Sequence, residues 1–139
     1  MAKSKKVLIV VMVLTLLVSL VSACKQKFEL HEEDVIGVWA GKHSYKGNEY
    51  YSVFTLTENG LHTEKKYKNG HIWQTYEGEY VIAYDDDVEK WCVKLYQNSE
   101  KGTASLYYWN EKEECFEGLS FDSKGNFVML GKYEKIAES

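Results

Sequence analysis

Four histidines (His31, His43, His62, His71), three cysteines (Cys24, Cys92, Cys115) and two acidic runs are the groups of this 139-residue chain best suited to chemistry. Imidazole is a common zinc ligand, yet no two histidines stand in the His-x-His or His-Glu-x-x-His spacing that puts two rings on one metal. His62 and His71 flank the turn around Lys68–Gly70, but a turn centred on residue 69 pairs His71 near Tyr67 and leaves His62 several residues away. All four read as surface histidines. The acidic runs, His31-Glu32-Glu33-Asp34 and Asp85-Asp86-Asp87, lack the spaced ligands of an EF-hand loop and read as solvated charge. Glu113-Glu114 falls in a turn, and Glu77 and Glu79 share the outer face of a strand. The chain has no Gly-x-Ser-x-Gly, no paired Cys/His arrangement and no phosphate-cradling glycine loop. With no arginine, it also lacks a guanidinium fork for phosphate or carboxylate. The expectation is a non-enzymatic protein with no cofactor and no metal.

The elements that position these groups are strands. All 20 aromatic residues follow Cys24, and there is no proline. Tyr, Trp and Phe suit pleated, half-buried surfaces, whereas disordered chains are poor in them. Turn signals recur at Lys46-Gly47-Asn48, Glu58-Asn59-Gly60, Lys68-Asn69-Gly70, Asp85-Asp86-Asp87, Asn98–Gly102, Asn110–Glu114 and Asp122–Gly125. Asn-Gly between β-prone runs is a strong hairpin signal. Eight strands are expected, at about 35–44, 50–57, 61–67, 72–84, 90–97, 103–109, 115–121 and 126–135. Alternation agrees with this. Tyr76, Gly78, Tyr80 and Ile82 share one face against Glu77 and Glu79; Trp91, Val93 and Leu95 oppose Lys94; Phe127, Met129 and Tyr133 oppose Lys132. Gly78 suggests a bulge or corner in the long fourth strand. A single helical turn is expected at Leu30–Asp34, plugging or capping one end. Short hairpins leave few ways to hide sheet edges, so the expected fold is all-β: a small eight-stranded antiparallel up-and-down barrel. A two-sheet sandwich is the alternative.

Cys92 and Cys115 invite a disulfide by their even number. Hairpins turning near Lys101 and Lys112 would set Cys92 beside Tyr108 and Cys115 beside Trp109, on either side of one strand. That is two strand spacings, ~9.6 Å, beyond the ~7 Å a disulfide tolerates between Cα atoms. Two free thiols are expected.

The N-terminus is of another kind. Lys3, Lys5 and Lys6 precede a 14-residue apolar run, Val7–Leu20. That is the length of a secretory h-region and short of the ~20 residues that cross a bilayer. Val21-Ser22-Ala23-Cys24 then resembles the lipobox of a bacterial lipoprotein signal peptide; the alternative is a plain signal anchor with an incidental cysteine. The resemblance implies a cleaved signal helix over 1–23, a diacylglyceryl group on Cys24 and a lipid-anchored place on the extracytoplasmic face of the cell membrane. Two or more acyl chains hold stably where one is marginal. The tether would occupy 24–32 and the domain 33–139. Of 17 lysines three leave with the leader, and 14 against 21 acidic residues give a formal charge of −7. That balance excludes nucleic acid as a partner and disfavours a second hold on anionic lipid.

Gly37-Val38-Trp39 opens the first strand, and Leu130-Gly131-Lys132-Tyr133-Glu134-Lys135 lies in the last. Together they resemble the lipocalin signature and the closing strand of small bacterial lipocalin-like domains, over residues 33–137. The resemblance implies that Trp39 packs at the closed end beneath Lys132 or Lys135. The chain departs from the family in lacking its Thr-Asp-Tyr motif, its arginine and a helix after the last strand. Eight strands leave room for a filled interior or for one small molecule. Large inward candidates (Trp39, Phe54, Trp73, Tyr80, Trp91, Phe127) consume that room, and both outcomes stay open. The expected function is binding of a small apolar or amphipathic ligand, with Trp39, Tyr80, Trp91 and Trp109 as cavity or mouth aromatics. The alternative is a solid-core module contacting another envelope protein. An outward Tyr107/Trp109 pair would favour contact; a cavity behind Leu106/Tyr108 would favour ligand binding.

Overall fold

Two Xaa-Gly dipeptides set the register on one side of the molecule. At Lys46-Gly47 (φ 48° and 77°) and Asn69-Gly70 (φ 49° and 82°) both central residues are left-handed. This is the type I′ hairpin, whose twist matches that of the strands it joins. Tyr45 therefore pairs with Asn48 and Lys68 with His71, and the first hairpin keeps that register unbroken as far as Gly37 opposite Leu56. The computed structural model describes residues 7, 9–13, 27–97, 104–121, 123–124 and 127–139. It is all-β: eight antiparallel strands in sequential order close into an up-and-down barrel. They are β1 (Gly37–Tyr45), β2 (Asn48–Leu56), β3 (Leu61–Lys68), β4 (His71–Asp85), β5 (Lys90–Tyr96), β6 (Ala104–Asn110), β7 (Cys115–Phe121) and β8 (Phe127–Ala137). No end differs by more than two residues from the sequence expectation, and closure of β8 on β1 rules out the sandwich.

The signal segment and Cys24 lie mainly or wholly outside the described residues, as do the turn expected at Asn98–Gly102 and the side chain of Phe127. Among the described residues no helix is long and apolar enough to cross a membrane.

One end of the barrel is closed by its own chain. A helical turn, Glu32–Val35, sits across it with Val35 and Leu30 buried in the core. The Asp34 carboxylate accepts the backbone N–H of His31 at 2.9 Å, capping the turn as an acid at the N-terminus should. The Trp39 indole N–H donates to the Val35 carbonyl at 2.8 Å, taking up an acceptor the short helix leaves free. Inside, Trp39 meets Phe116 at 4.7 Å and Trp109 at 5.8 Å between centroids, and Phe54 stacks on Tyr107 at 4.2 Å.

Several details depart from expectation. β4 shifts register between Lys66 and Tyr67 of its partner, which makes Trp73 the bulged residue; Gly78 is paired regularly. Gly78 instead admits the Tyr96 carbonyl where a β-carbon would collide. Trp73, expected inward, is 50% exposed as a result. Lys132 pairs with Glu113 and Lys135 with Glu138, and the rings of Phe116 and Trp109 pack edge-on against Trp39. The Lys135 stem crosses Gly37 (φ +145°), a position that only glycine fills easily. Cys92 faces Tyr108 as expected, while Cys115 faces Asn110, one residue off, because the turn Glu111–Glu114 centres after Lys112. Both thiols are free and buried, on either side of β6.

Candidate functional site

The end away from the helical turn is open, and a cavity of about 610 Å³ descends from it. The space exists because inward positions there are small. Gly41, Ser52 and Lys66 align across β1–β3, and Gly118 faces Gly131 across β7–β8. One turn of the ladder deeper, the aligned residues are Trp39, Phe54 and Glu64. The Tyr133 ring lies against the glycines: a β-carbon at Gly41 would strike it, and one at Gly118 would stand 3.3 Å away. Tyr133 and Tyr107 thus form a floor. Tyr50, Trp73 and His43 form one wall, with His43 stacked on Tyr50 at 5.1 Å and 13°. Leu119 and Leu130 line the other.

Beneath the floor is a carboxyl group, Glu64, only 1% exposed. A buried carboxyl must be hydrogen-bonded, and this one is. Tyr107 donates its hydroxyl to Glu64 Oε2 at 2.5 Å, and Ser105 donates to Oε1 at 2.9 Å. Lys66 Nζ stands 3.7 Å from Oε1 and donates to Ser105 Oγ at 3.3 Å. Ser52 lines the same cavity beside Tyr107 and Tyr133. Burial, then the neighbouring Glu64, pushes the Tyr107 phenol well above its ordinary value. The same two causes push Tyr133 up to about 12. Burial and the Lys66 ammonium lower the His43 imidazole, so the ring is neutral at neutral pH. The site therefore has aromatic and aliphatic walls, hydroxyl groups at the bottom, and Lys66 as the charged side chain lining it among the described residues.

Trp39, Tyr80, Trp91 and Trp109 are brought together elsewhere, at the closed end. Trp39 is fully buried; Trp91 and Trp109 line a depression of about 300 Å³ under Lys27 and Phe28. Tyr80 borders another of about 350 Å³ and donates to the Thr57 carbonyl at 2.8 Å. None of the four lines the larger cavity. Tyr107 and Trp109 point inward, so the pair that would have favoured surface contact belongs to the core. Two histidines expected at the surface are not there. His43 forms cavity wall, and His62 is buried, its Nε2–H donating to the Tyr96 carbonyl at 2.7 Å. Among the described residues no three His, Cys, Asp or Glu side chains gather as a metal site. Sequence reasoning missed Tyr50, Ser52, Lys66, Tyr107 and Tyr133. The available signal was the run of small residues Gly41, Ser52, Gly118 and Gly131 at mid-strand, where a filled barrel needs volume.

The chain matches no protein family, no curated protein and no solved structure. The functional reading rests on its own residues.

Proposed function

We propose that this chain is a lipid-anchored envelope protein whose lipocalin-like barrel binds one small amphipathic molecule in its open end. The cavity carries the reading. Its volume of about 610 Å³ falls in the ~300–1,000 Å³ range of small-molecule sites, and apolar walls over a polar floor are what such sites share. In this reading the apolar body lies between Trp73, Tyr50 and the leucine wall, and the polar end meets Lys66, Ser52 and Ser105. The role proposed is binding, without bond-making. The anchor is acylated Cys24, after loss of residues 1–23; the resemblance of Val21–Cys24 to a lipobox supports it.

Native mass spectrometry on the mature protein, released in detergent from membranes that contain it, tests the binding. One retained molecule of a few hundred daltons per chain is the expected result, lost in a Leu119→Trp variant that narrows the wall. A bare protein mass from every membrane source would remove the ligand reading and leave the solid-contact alternative. For the anchor, Cys24→Ser is expected to move the protein from the membrane to the soluble fraction and to remove the acyl mass.

A further inference from the structure

The two ends of the barrel differ in charge as much as in packing. Turns and segments at the closed end carry Glu29, Glu32, Glu33, Asp34, Glu58, Asp85, Asp86, Asp87, Glu89, Glu111, Glu113 and Glu114 against Lys27, Lys90 and Lys112. At the open end, among the described residues, Lys46, Lys66, Lys68 and Lys124 stand against Glu49. The chain enters at the acidic end and is fastened there. The Trp91 indole N–H donates to the Phe28 carbonyl at 3.2 Å, Phe28 packs on the core, Leu30 is buried, and Lys27 Nζ stands 5.3 Å from the Tyr84 ring.

We infer that the barrel stands with its closed end toward the anchoring bilayer and its mouth directed away, so that ligand enters from the side opposite the membrane. This rests on Cys24 being the anchor. Lys27 lies three Cα steps from Cys24, with two residues between them, a reach of at most ~11 Å. The nine residues of β1 rise ~3.3 Å each and tilt about 40°, lifting the mouth roughly 20 Å above the base. The tether is too short to turn the mouth onto the surface that holds it. The bilayer-facing surface is also the acidic one. Anionic headgroups repel it, and the repulsion is screened over ~8 Å at physiological salt. The base is therefore held by acyl chains alone and does not lie down on the lipid through its own charge. The aromatic mouth, with Lys46 and Lys68 at its described turns, meets whatever occupies the opposite side. A ligand delivered this way arrives through the aqueous phase of the envelope and not by lateral transfer from the anchoring leaflet.

Energy transfer on the mature lipidated protein in vesicles tests this. Cys92 and Cys115 are buried, and the anchor occupies Cys24, so a thiol dye reports an added site. Glu49→Cys marks the mouth and Asn59→Cys the base; both positions are exposed. With acceptor dye on the lipid headgroups, transfer from Asn59→Cys should exceed that from Glu49→Cys severalfold. Equal transfer, or more from Glu49→Cys, overturns the orientation while leaving the anchor in place. Mass analysis of the same sample separates the premises: a chain without diacylglyceryl on Cys24 removes the anchor reading and the orientation with it. Circular dichroism identical to that of the unsubstituted protein confirms that each variant is folded.

Discussion

The closed half and the open half of this barrel are built from the same strands with the same alternation, yet one is a packed core and the other a cavity. Along β1 the inward residues run Gly37, Trp39, Gly41, His43; along β2, in the opposite direction, Leu56, Phe54, Ser52, Tyr50. At Trp39 and Phe54, interlocking rings fill the space. Two residues further on, glycine and serine leave it open, and the polar groups that open space would expose are drawn into the Glu64 network instead. Stability is concentrated at one end and adaptable surface at the other. Substitutions of one chemical type should therefore have opposite consequences in the two halves.

The largest effect is expected at the closed end. Trp39→Ala removes a fully buried indole, its two edge-on ring contacts and the bond to Val35. A loss of ~3–5 kcal/mol, read as a fall in the urea midpoint, is expected. A loss under about 1 kcal/mol would mean that the closed end does not hold the fold together.

Next comes alkaline pH, which attacks the floor between the halves. Tyr133 titrates near 12 in the folded protein against 10.0 when free, because burial and Glu64 disfavour the phenolate. The raised value means that the folded state holds the proton longer. Its contribution is whole below pH 10 and is lost as pH climbs from about 10 to about 12, at most ~3 kcal/mol for this group. Tyr133→Phe should flatten that part of the stability–pH curve. An unchanged slope would show that the ring is more solvated than its place among the glycines implies.

Third is the network itself. Tyr107→Phe keeps the ring that stacks on Phe54 but leaves Glu64 Oε2 buried without that donor. A cost of about 2 kcal/mol is expected, with the barrel still closed by circular dichroism. A neutral result would mean that water enters from the cavity and takes the hydroxyl's place.

Much of this architecture was legible in the sequence, and what was not follows a pattern. The turn residues were readable because Lys46-Gly47 and Asn69-Gly70 demand positive φ, a local property. Strand ends, barrel closure and the place of Cys92 beside β6 came from turns and alternation, again local. The filled half was anticipated in kind, since Trp39 and Phe54 are large and inward. The site was not, because a cavity is defined by what neighbouring strands leave out. Gly41 meets Ser52 and Gly118 meets Gly131 only once the register is fixed. Trp73 was misplaced for a related reason: a single bulge turned an expected core residue into part of the mouth, and no glycine marks it.

That bulged tryptophan gives the smallest effect on stability and the most direct reading of the difference between the halves. Trp73 is 50% exposed, leans on Tyr50 at 5.6 Å and has the Lys68 ammonium 5.7 Å from its ring. Half-exposed surface removed from a strand end costs little, and Trp73→Ala should change the urea midpoint by less than about 0.5 kcal/mol. The same substitution strips one wall of the cavity, so retention of a bound small molecule in native mass spectrometry should fall sharply. Trp39→Ala and Trp73→Ala then form a matched pair, the same chemical deletion at the two ends of one barrel. If Trp73→Ala instead destabilised the fold as Trp39→Ala does, the open half would be core. If it changed neither stability nor retention, the occupant would lie deeper, against Tyr107 and Tyr133, with the aromatic mouth free to meet something else.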